Sequence, residues 1–243
     1  MRAPDFRMWI TVALFAASTA GAQTEAPKAA AKSAPKMSAS VVQTKDSQAA
    51  MTPSKALDAL KDGNARFRAG QTVQKGLPAK VKASAGGQYP FAAVLSCMDS
   101  RVPVELVFDQ AIGDLFSIRV AGNVVNADNL GSLEYAVKVV GVKLIVVMGH
   151  TACGAVKGAI DNVKMGNLTE LLNKIQPAVK ASGPGTTKDH AYVDKVGEAN
   201  VRQAMKEIRE KSPELKQALD SGAVGMVGGM YDLETGAVTF YKD

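Results

Sequence analysis

Short, continuous runs of apolar residues recur along the chain, and segments with helical spacing separate them. The runs cover 91–96, 142–148 and 224–231, and a further strand is predicted over 115–120. Runs of this length that are apolar throughout are typical of strands buried on both faces of a parallel sheet. The alternation predicts an α/β fold, with a mostly parallel central sheet flanked by helices. A last strand over 237–241 is expected to lie antiparallel at the C-terminal edge, after a turn at 232–236.

The segments between these runs carry the start and stop signals of helices. Thr52 and Pro53 predict a helix start, and Gly70 predicts its end. Asp128 is expected to cap a helix that closes at Gly141. The segment 71–90 is predicted as a loop with room for one short helix. Further helices are predicted over 103–108, 151–164, 168–179, 189–211 and 213–219.

The first fifty residues differ in composition from the rest of the chain. Residues 1–22 are typical of a secretory signal, because Arg2 and Arg7 precede an apolar run over 8–17 and small residues occupy 20–22. The run is shorter than the roughly 20 residues of a membrane-spanning helix, so an uncleaved anchor is the weaker alternative. Residues 23–50, rich in Ala, Lys, Ser and Pro, are predicted to be a disordered linker.

These features predict a signal peptide over 1–22, a linker over 23–50 and one folded domain over 51–243. The mature protein is expected to be exported, periplasmic or secreted, with no stable membrane span after processing. The formal net charge is +6, but the basic residues are spread out, without a cluster or interleaved aromatic residues. We therefore expect a mildly basic surface and no nucleic-acid partner.

The scarce metal-binding residue types lie at the ends of two predicted strands. The chain has two cysteines and two histidines. Cys97 follows the first strand, and His150 and Cys153 follow the third. Sites in open parallel sheets form at the carboxyl ends of strands where the strand order reverses, so we expect these two ends to meet. Two cysteines and one histidine suit zinc and leave its fourth position open. The second histidine, His190, is expected to be exposed.

Two other interpretations of the cysteines stay open at this point. Two cysteines in an exported protein most often form a disulfide, which would give a binding domain without a metal. A purely structural zinc site is the second, although such a site usually takes four Cys or His ligands. Asp99 and Arg101, which follow Cys97 closely, favour a metal site with a chemical role, because a disulfide needs neither of them.

The two ligand-bearing segments resemble the paired zinc motifs of the β-class carbonic anhydrases. CMDSR at 97–101 and HTACG at 150–154 carry the resemblance. It extends from about Thr52 to the C-terminus, through similar segments at 64–67, 113–116, 119–123 and 132–137. The resemblance implies one zinc ion per subunit, held by Cys97, His150 and Cys153. It also implies a homodimer or a dimer-based oligomer, with clefts between the subunits.

The resemblance further implies roles for the neighbours of these ligands. Asp99 either occupies the fourth zinc position or pairs with Arg101, as a dyad that leaves this position to water. Gly154, at a predicted helix start, offers backbone N–H groups to an anion, although close packing explains a glycine there equally well. The positions that bind or line the substrate fall on Gln88, Phe116, Ala121 and Tyr135.

The activity implied is the reversible hydration of CO2 to bicarbonate and a proton by a zinc-bound hydroxide, gated by the Asp99–Arg101 dyad. One alternative is a carbon disulfide or carbonyl sulfide hydrolase on the same fold. Another is a non-catalytic protein that binds zinc or bicarbonate. Because two thiolates would neutralise the charge of the zinc ion, we expect activity to rise toward alkaline pH.

Overall fold

The computed structural model describes residues 42–73 and 77–241. The predicted signal peptide over 1–22 and the first part of the predicted linker, 23–41, lie outside the described residues. A 3₁₀ turn covers Ala121–Asn123, and a π-helical segment covers Tyr135–Val140. The strands are β1 (Ala92–Ser96), β2 (Leu115–Arg119), β3 (Leu144–His150), β4 (Gly225–Tyr231) and β5 (Val238–Tyr241). The helices are α1 (Lys45–Ala49), α2 (Pro53–Arg68), α3 (Leu77–Ser84), α4 (Val104–Val107), α5 (Ala127–Glu134), α6 (Gly154–Ile160), α7 (Gly166–Asn173), α8 (Gln176–Ala181), α9 (His190–Lys211) and α10 (Pro213–Asp220).

The strands form one sheet in the order β2-β1-β3-β4-β5. The first four are parallel, and β5 runs antiparallel to β4 at the edge. The chain passes from β1 outward to β2 and then returns to β3 on the other side of β1. The strand order therefore reverses between β1 and β3. The predicted fold, a mostly parallel sheet with an antiparallel C-terminal edge strand, is confirmed.

Helices cover both faces of the sheet, which explains why the central strands β1 and β3 are almost entirely apolar, whereas the edge strand β2 is only partly buried. Every residue of β1 and of β3 is buried. Successive residues of a strand point to opposite faces. Leu95 and Ile145 pack toward α5, α9 and α10 on one face, and Val94 and Val146 pack toward α2 and α4 on the other. Within the described parts of the chain, no helix is both long and apolar enough to cross a membrane.

The structured part of the chain begins earlier than the sequence predicts. Within the predicted linker, α1 is held by a reciprocal cap, in which the side chains of Thr44 and Ser47 each accept the other's backbone N–H. Gln48 is buried, and its Nε2 donates to the carbonyl of Pro90 at 2.7 Å. The prediction of a disordered linker over 23–50 is therefore wrong for residues 45–49. Amino-acid composition alone cannot indicate a long-range side-chain contact such as the one between Gln48 and Pro90.

Local sequence signals predict some helix ends correctly and others wrongly. Thr52 caps α2 as predicted. The cap of α5 is Asn126, whose side chain accepts the N–H of Asn129 from an extended backbone with φ −143°. Asp128, the predicted cap, lies inside the first turn, so that prediction is wrong. The helical segment after α5 closes at Gly141 as predicted, where φ is 91°.

The region after β3 departs most from the prediction. β3 extends through His150, because its last residues pair with β4. α6 begins only at Gly154, so the predicted helix over 151–164 is too long at both ends. The segment predicted as one helix over 168–179 forms α7 and α8. Pro177 lies in the first turn of α8, where a residue without a backbone N–H is tolerated. The same residue cannot extend the preceding helix, because it has no N–H to donate within that helix.

Candidate metal centre

The pairing of β1 with β3 brings the ends of the two strands side by side. Ser96, the last residue of β1, is in register with Met148 of β3. Cys97 therefore leaves the sheet at the level where β3 continues to His150. Cys153 follows as the residue that caps the N-terminus of α6. The prediction that these strand ends meet at the reversal of strand order is confirmed.

Three candidate ligand atoms converge in the crevice between these ends. The Sγ atoms of Cys97 and Cys153 and a ring nitrogen of His150 lie within 4.8 Å of one another, and all three residues are buried. Both cysteines are free thiols, so the structure contradicts the alternative of a disulfide. Two sulfur atoms and one imidazole nitrogen match the three-ligand sets that leave one zinc position open.

The orientation of His150 fits a metal ion. Its Nδ1 lies 2.9 Å from the carbonyl oxygen of Thr151. Because a carbonyl can only accept, Nδ1 carries the proton of this hydrogen bond. Nε2 is buried, and among the residues that the structure describes it has no hydrogen-bond partner. A buried polar atom without a partner is costly, and here a metal ion would satisfy it.

The two thiols have opposite protonation tendencies. The pKa of Cys97 is lowered to about 4, chiefly by the hydrogen bond with Cys153, which outweighs the effect of burial. The pKa of Cys153 is raised by the same hydrogen bond and by burial. A metal dication would compete with protons for the two sulfur atoms, because zinc binds thiolates.

Asp99 lies at the mouth of the crevice and is fully engaged by Arg101. Its Oδ1 accepts the Nε–H of Arg101 at 2.9 Å and the backbone N–H of Arg101 at 3.0 Å, and its Oδ2 accepts an Nη2–H at 2.8 Å. These hydrogen bonds hold the pKa of the Asp99 carboxyl well below its usual range. Oδ2 is also 3.8 Å from Nε2 of His150, so the carboxylate borders the ligand cluster.

Two further groups support the segment that carries Cys97 and Asp99. Arg119, at the end of β2, donates from Nε to the carbonyl of Cys97 at 3.2 Å and from Nη2 to the carbonyl of Asp99 at 2.5 Å. The backbone N–H of Gly122 donates to Cys97 Sγ at 3.3 Å. Sequence reasoning assigned neither role, although the segment 119–123 was singled out for its resemblance.

The predicted substrate residues lie around β2, at the edge of the sheet. Phe116 and Tyr135 line a cleft of about 670 Å³, and their ring centroids are 6.3 Å apart. Gln88 is exposed in a second groove, formed by α3, the turn before β2 and the start of β2. Neither of these two grooves is lined by any of the three ligand residues.

Ala121 and Gly154 lie closer to the ligands. Ala121 begins the 3₁₀ turn whose next residue, Gly122, contacts Cys97. Gly154 directly follows Cys153 and is exposed. A Cβ at Gly154 would meet no atom of the described parts of the chain within 4 Å, so close packing among them does not explain a glycine at this position. His190 is exposed at the start of α9, as predicted.

The fold and this cluster define a class of protein. It is an α/β protein with a mostly parallel sheet and a Cys-His-Cys cluster of candidate metal ligands where the strand order reverses. A sequence model of the family described as "Carbonic anhydrase" matches residues 92–238.

Known proteins identify the family within this class. The carbonic anhydrase of Mycolicibacterium smegmatis is 38% identical over 192 residues, which are 76% of this chain and 92% of that protein. Carbonic anhydrase 2 of Mycobacterium tuberculosis is 36% identical over 190 residues, 76% of this chain and 90% of that protein. The structure of the β-carbonic anhydrase CcaA matches with a TM-score of 0.62 at 25% identity, over 76% of this chain and 87% of that one.

The β-carbonic anhydrase CafA of Aspergillus fumigatus matches with a TM-score of 0.61 at 26% identity, over 78% of this chain and 90% of that one. The chain belongs to the β-class carbonic anhydrase family. Both the predicted family and the prediction of an enzyme of this type are confirmed.

Proposed function

We propose that the protein catalyses the reversible hydration of CO2 to bicarbonate and a proton, with a zinc ion held by Cys97, His150 and Cys153. The observation that carries this proposal is the buried cluster of two sulfur atoms and a ring nitrogen of His150, all within 4.8 Å of one another. The Nε2 atom of this histidine is buried, and the described residues offer it no hydrogen-bond partner. Family membership supports the reaction, and the donor set supports the metal. Zinc bound in this position would acidify a water molecule and so supply a nucleophile near neutral pH.

The side chains around the ligands have distinct tasks in this proposal. Arg101 holds Asp99 through three hydrogen bonds, so that the carboxylate does not occupy the metal position. Asp99 then accepts a hydrogen bond from the attacking water and orients its lone pair toward CO2. The N–H of Gly122 stabilises the negative charge on Cys97 Sγ. The released proton passes to solvent at the open mouth of the crevice.

The proposal is tested by metal analysis and a CO2-hydration assay on the same purified protein. One zinc per chain together with turnover is the expected result. Zinc without turnover at any pH would identify a non-catalytic zinc protein. Preferential turnover of carbonyl sulfide or carbon disulfide would identify the alternative hydrolase. Absence of bound metal after preparation with zinc would refute the metal centre itself.

Substitution of Arg101 tests the proposed Asp99–Arg101 gate. Lysine keeps the charge but cannot reproduce the two-pronged hydrogen bond, so Asp99 is released toward the metal position. We expect R101K to bind zinc like the parent and to lose about tenfold or more in kcat. R209K, at an exposed ion pair with Asp220, is the matched control and should keep parental activity. Parental activity in R101K would remove the gate.

We also propose a homodimer, or an oligomer built from dimers. The support is that Gln88, Phe116 and Tyr135 line grooves beside the edge strand β2, away from the ligands of their own chain. Sedimentation equilibrium measures the mass of the assembly, and a monomer with full activity would contradict the proposal.

Export is proposed from the signal-like composition of residues 1–22. N-terminal sequencing of the mature protein, after expression of the full chain in a bacterial host, tests this. Cleavage near residue 22 and recovery from the periplasm or medium are expected. A full-length protein in the cytoplasmic fraction would contradict export.

A further inference from the structure

The turn between His150 and Cys153 holds one residue in a strained conformation. Ala152 has φ 55°, in the left-handed region that residues other than glycine rarely adopt. Strain of this kind costs on the order of 1 kcal/mol or more, and it persists only where the surroundings fix it. The contacts of this turn therefore show what holds two of the three ligands in place.

One peptide group in this turn connects the histidine to a distant carboxylate. The carbonyl of Thr151 accepts the Nδ1–H of His150 at 2.9 Å. The N–H of the same peptide group belongs to Ala152 and donates to Oδ1 of Asp194, on α9, at 2.9 Å. The imidazole, the peptide group and the carboxylate thus form one continuous chain of hydrogen bonds.

The rest of the turn is fixed from another side. The N–H of Thr151 donates to the carbonyl of Tyr231 at 2.9 Å, and the hydroxyl of Thr151 accepts the N–H of Leu233 at 3.0 Å. These contacts hold Thr151 against the end of β4 but do not fix the following peptide plane. Among the described residues, Asp194 is the hydrogen-bond partner of the Ala152 N–H.

We propose that Asp194 is a positioning residue for the metal centre, acting on His150 through the Thr151–Ala152 peptide group. The carboxylate holds the peptide N–H and thereby keeps the carbonyl on the opposite side directed at Nδ1 of His150. A carbonyl polarised in this way is a better acceptor, which fixes the ring orientation and makes Nε2 a stronger metal ligand. This inference rests on the proposed function, because it concerns the same metal centre.

The first test is zinc affinity, measured by competition with a chelator and without any substrate. D194A removes the acceptor, and we expect its zinc affinity to fall about 10- to 100-fold. D194N keeps an acceptor oxygen but loses the charge, and we expect a smaller loss of about threefold or more. E198Q is the matched control, one turn further along α9 in an exposed pair with Arg202, and should stay within about twofold of the parent.

The second test separates this role from a general loss of structure. In the zinc-loaded parent, the Nδ1 proton of His150 should give a downfield NMR resonance that exchanges slowly with solvent. H190Q removes the other histidine and so assigns the signal. In D194A the resonance should move upfield and exchange faster, because the carbonyl is no longer held. If D194A does not fold, D194N carries both measurements.

The two tests together either support or overturn the positioning role of Asp194. Weaker zinc binding together with the changed Nδ1 resonance supports it. Zinc binding by D194A within about twofold of the parent overturns it, as does weaker binding with an unchanged Nδ1 resonance or an equal loss in E198Q. These readouts involve no CO2, so they can fail while the proposed enzymatic activity holds, and they can succeed if that activity is absent.

Discussion

Gly122 and Gly154 both lie beside a ligand cysteine, yet the structure gives them different tolerance for a side chain. Gly122 has φ 66°, and a Cβ there would be 2.7 Å from Cδ1 of Ile175 and 3.2 Å from Cβ of Ala155. A Cβ at Gly154 would have no atom of the described residues within 4 Å. The 3₁₀ turn next to Cys97 therefore needs a glycine, and the first turn of α6 does not.

We expect G122A to lose about 2 kcal/mol or more of unfolding free energy, from left-handed strain and overpacking. It should also bind zinc more weakly, because the N–H that supports Cys97 shifts. G154A should stay within about 0.5 kcal/mol of the parent. Urea unfolding and chelator competition on both proteins measure these effects. Similar losses in both variants would contradict the distinction.

The ligand residues could be predicted from the sequence, and their supporting groups could not. Cys97, His150 and Cys153 are scarce residue types placed at strand ends, where parallel sheets form their sites. Arg119 and Asp194 reach the site from β2 and α9 through contacts to backbone atoms. Such contacts leave no periodicity or local spacing in the sequence.

At the scale of elements, β1 and β3 were predictable because every one of their residues is buried. Helix ends were harder to predict, because neighbouring residues offer competing capping signals. Asn126 and Asp128 are both good capping residues, and only the extended backbone at Asn126 decides between them. Pro177 divides what periodicity alone reads as one helix. α1 has a capping box, but its stability depends on contacts far along the chain.

The corrected cap of α5 gives a direct test. N126A removes the acceptor for the Asn129 N–H and should cost about 1 kcal/mol of unfolding free energy. D128A only removes a negative charge from the first turn, so it should cost less, about 0.5 kcal/mol. Paired urea or thermal unfolding curves check this order. A larger loss in D128A would restore Asp128 as the cap.

At the scale of the whole molecule, the folded domain should start before residue 51. A chain that begins at residue 42 keeps α1 and the hydrogen bond from Gln48 to Pro90, whereas a chain that begins at residue 51 loses both. We expect the shorter chain to be less stable by about 1–2 kcal/mol. Q48A in the longer chain should reproduce part of that loss. Equal melting temperatures for the two chains would contradict a structural role for α1.

Metal binding should stabilise the whole domain, because an ion that binds only the folded state shifts the unfolding equilibrium. At zinc concentrations about 1,000-fold above Kd, the gain should be about 4 kcal/mol. Thermal unfolding with zinc and after chelation measures it. C97S should lose most of this response, and H190Q should keep it. A response in C97S equal to that of the parent would place zinc elsewhere.

The route of the chain between β1 and β3 also bears on how the metal ligands come together during folding. β2 and α5 both belong to the connection between the two strands, so Cys97 and His150 meet only when this long connection closes. Apolar contacts of the sheet, which need no ion, offset the entropy of closing it. We therefore expect bound zinc to slow unfolding and to leave the folding rate largely unchanged.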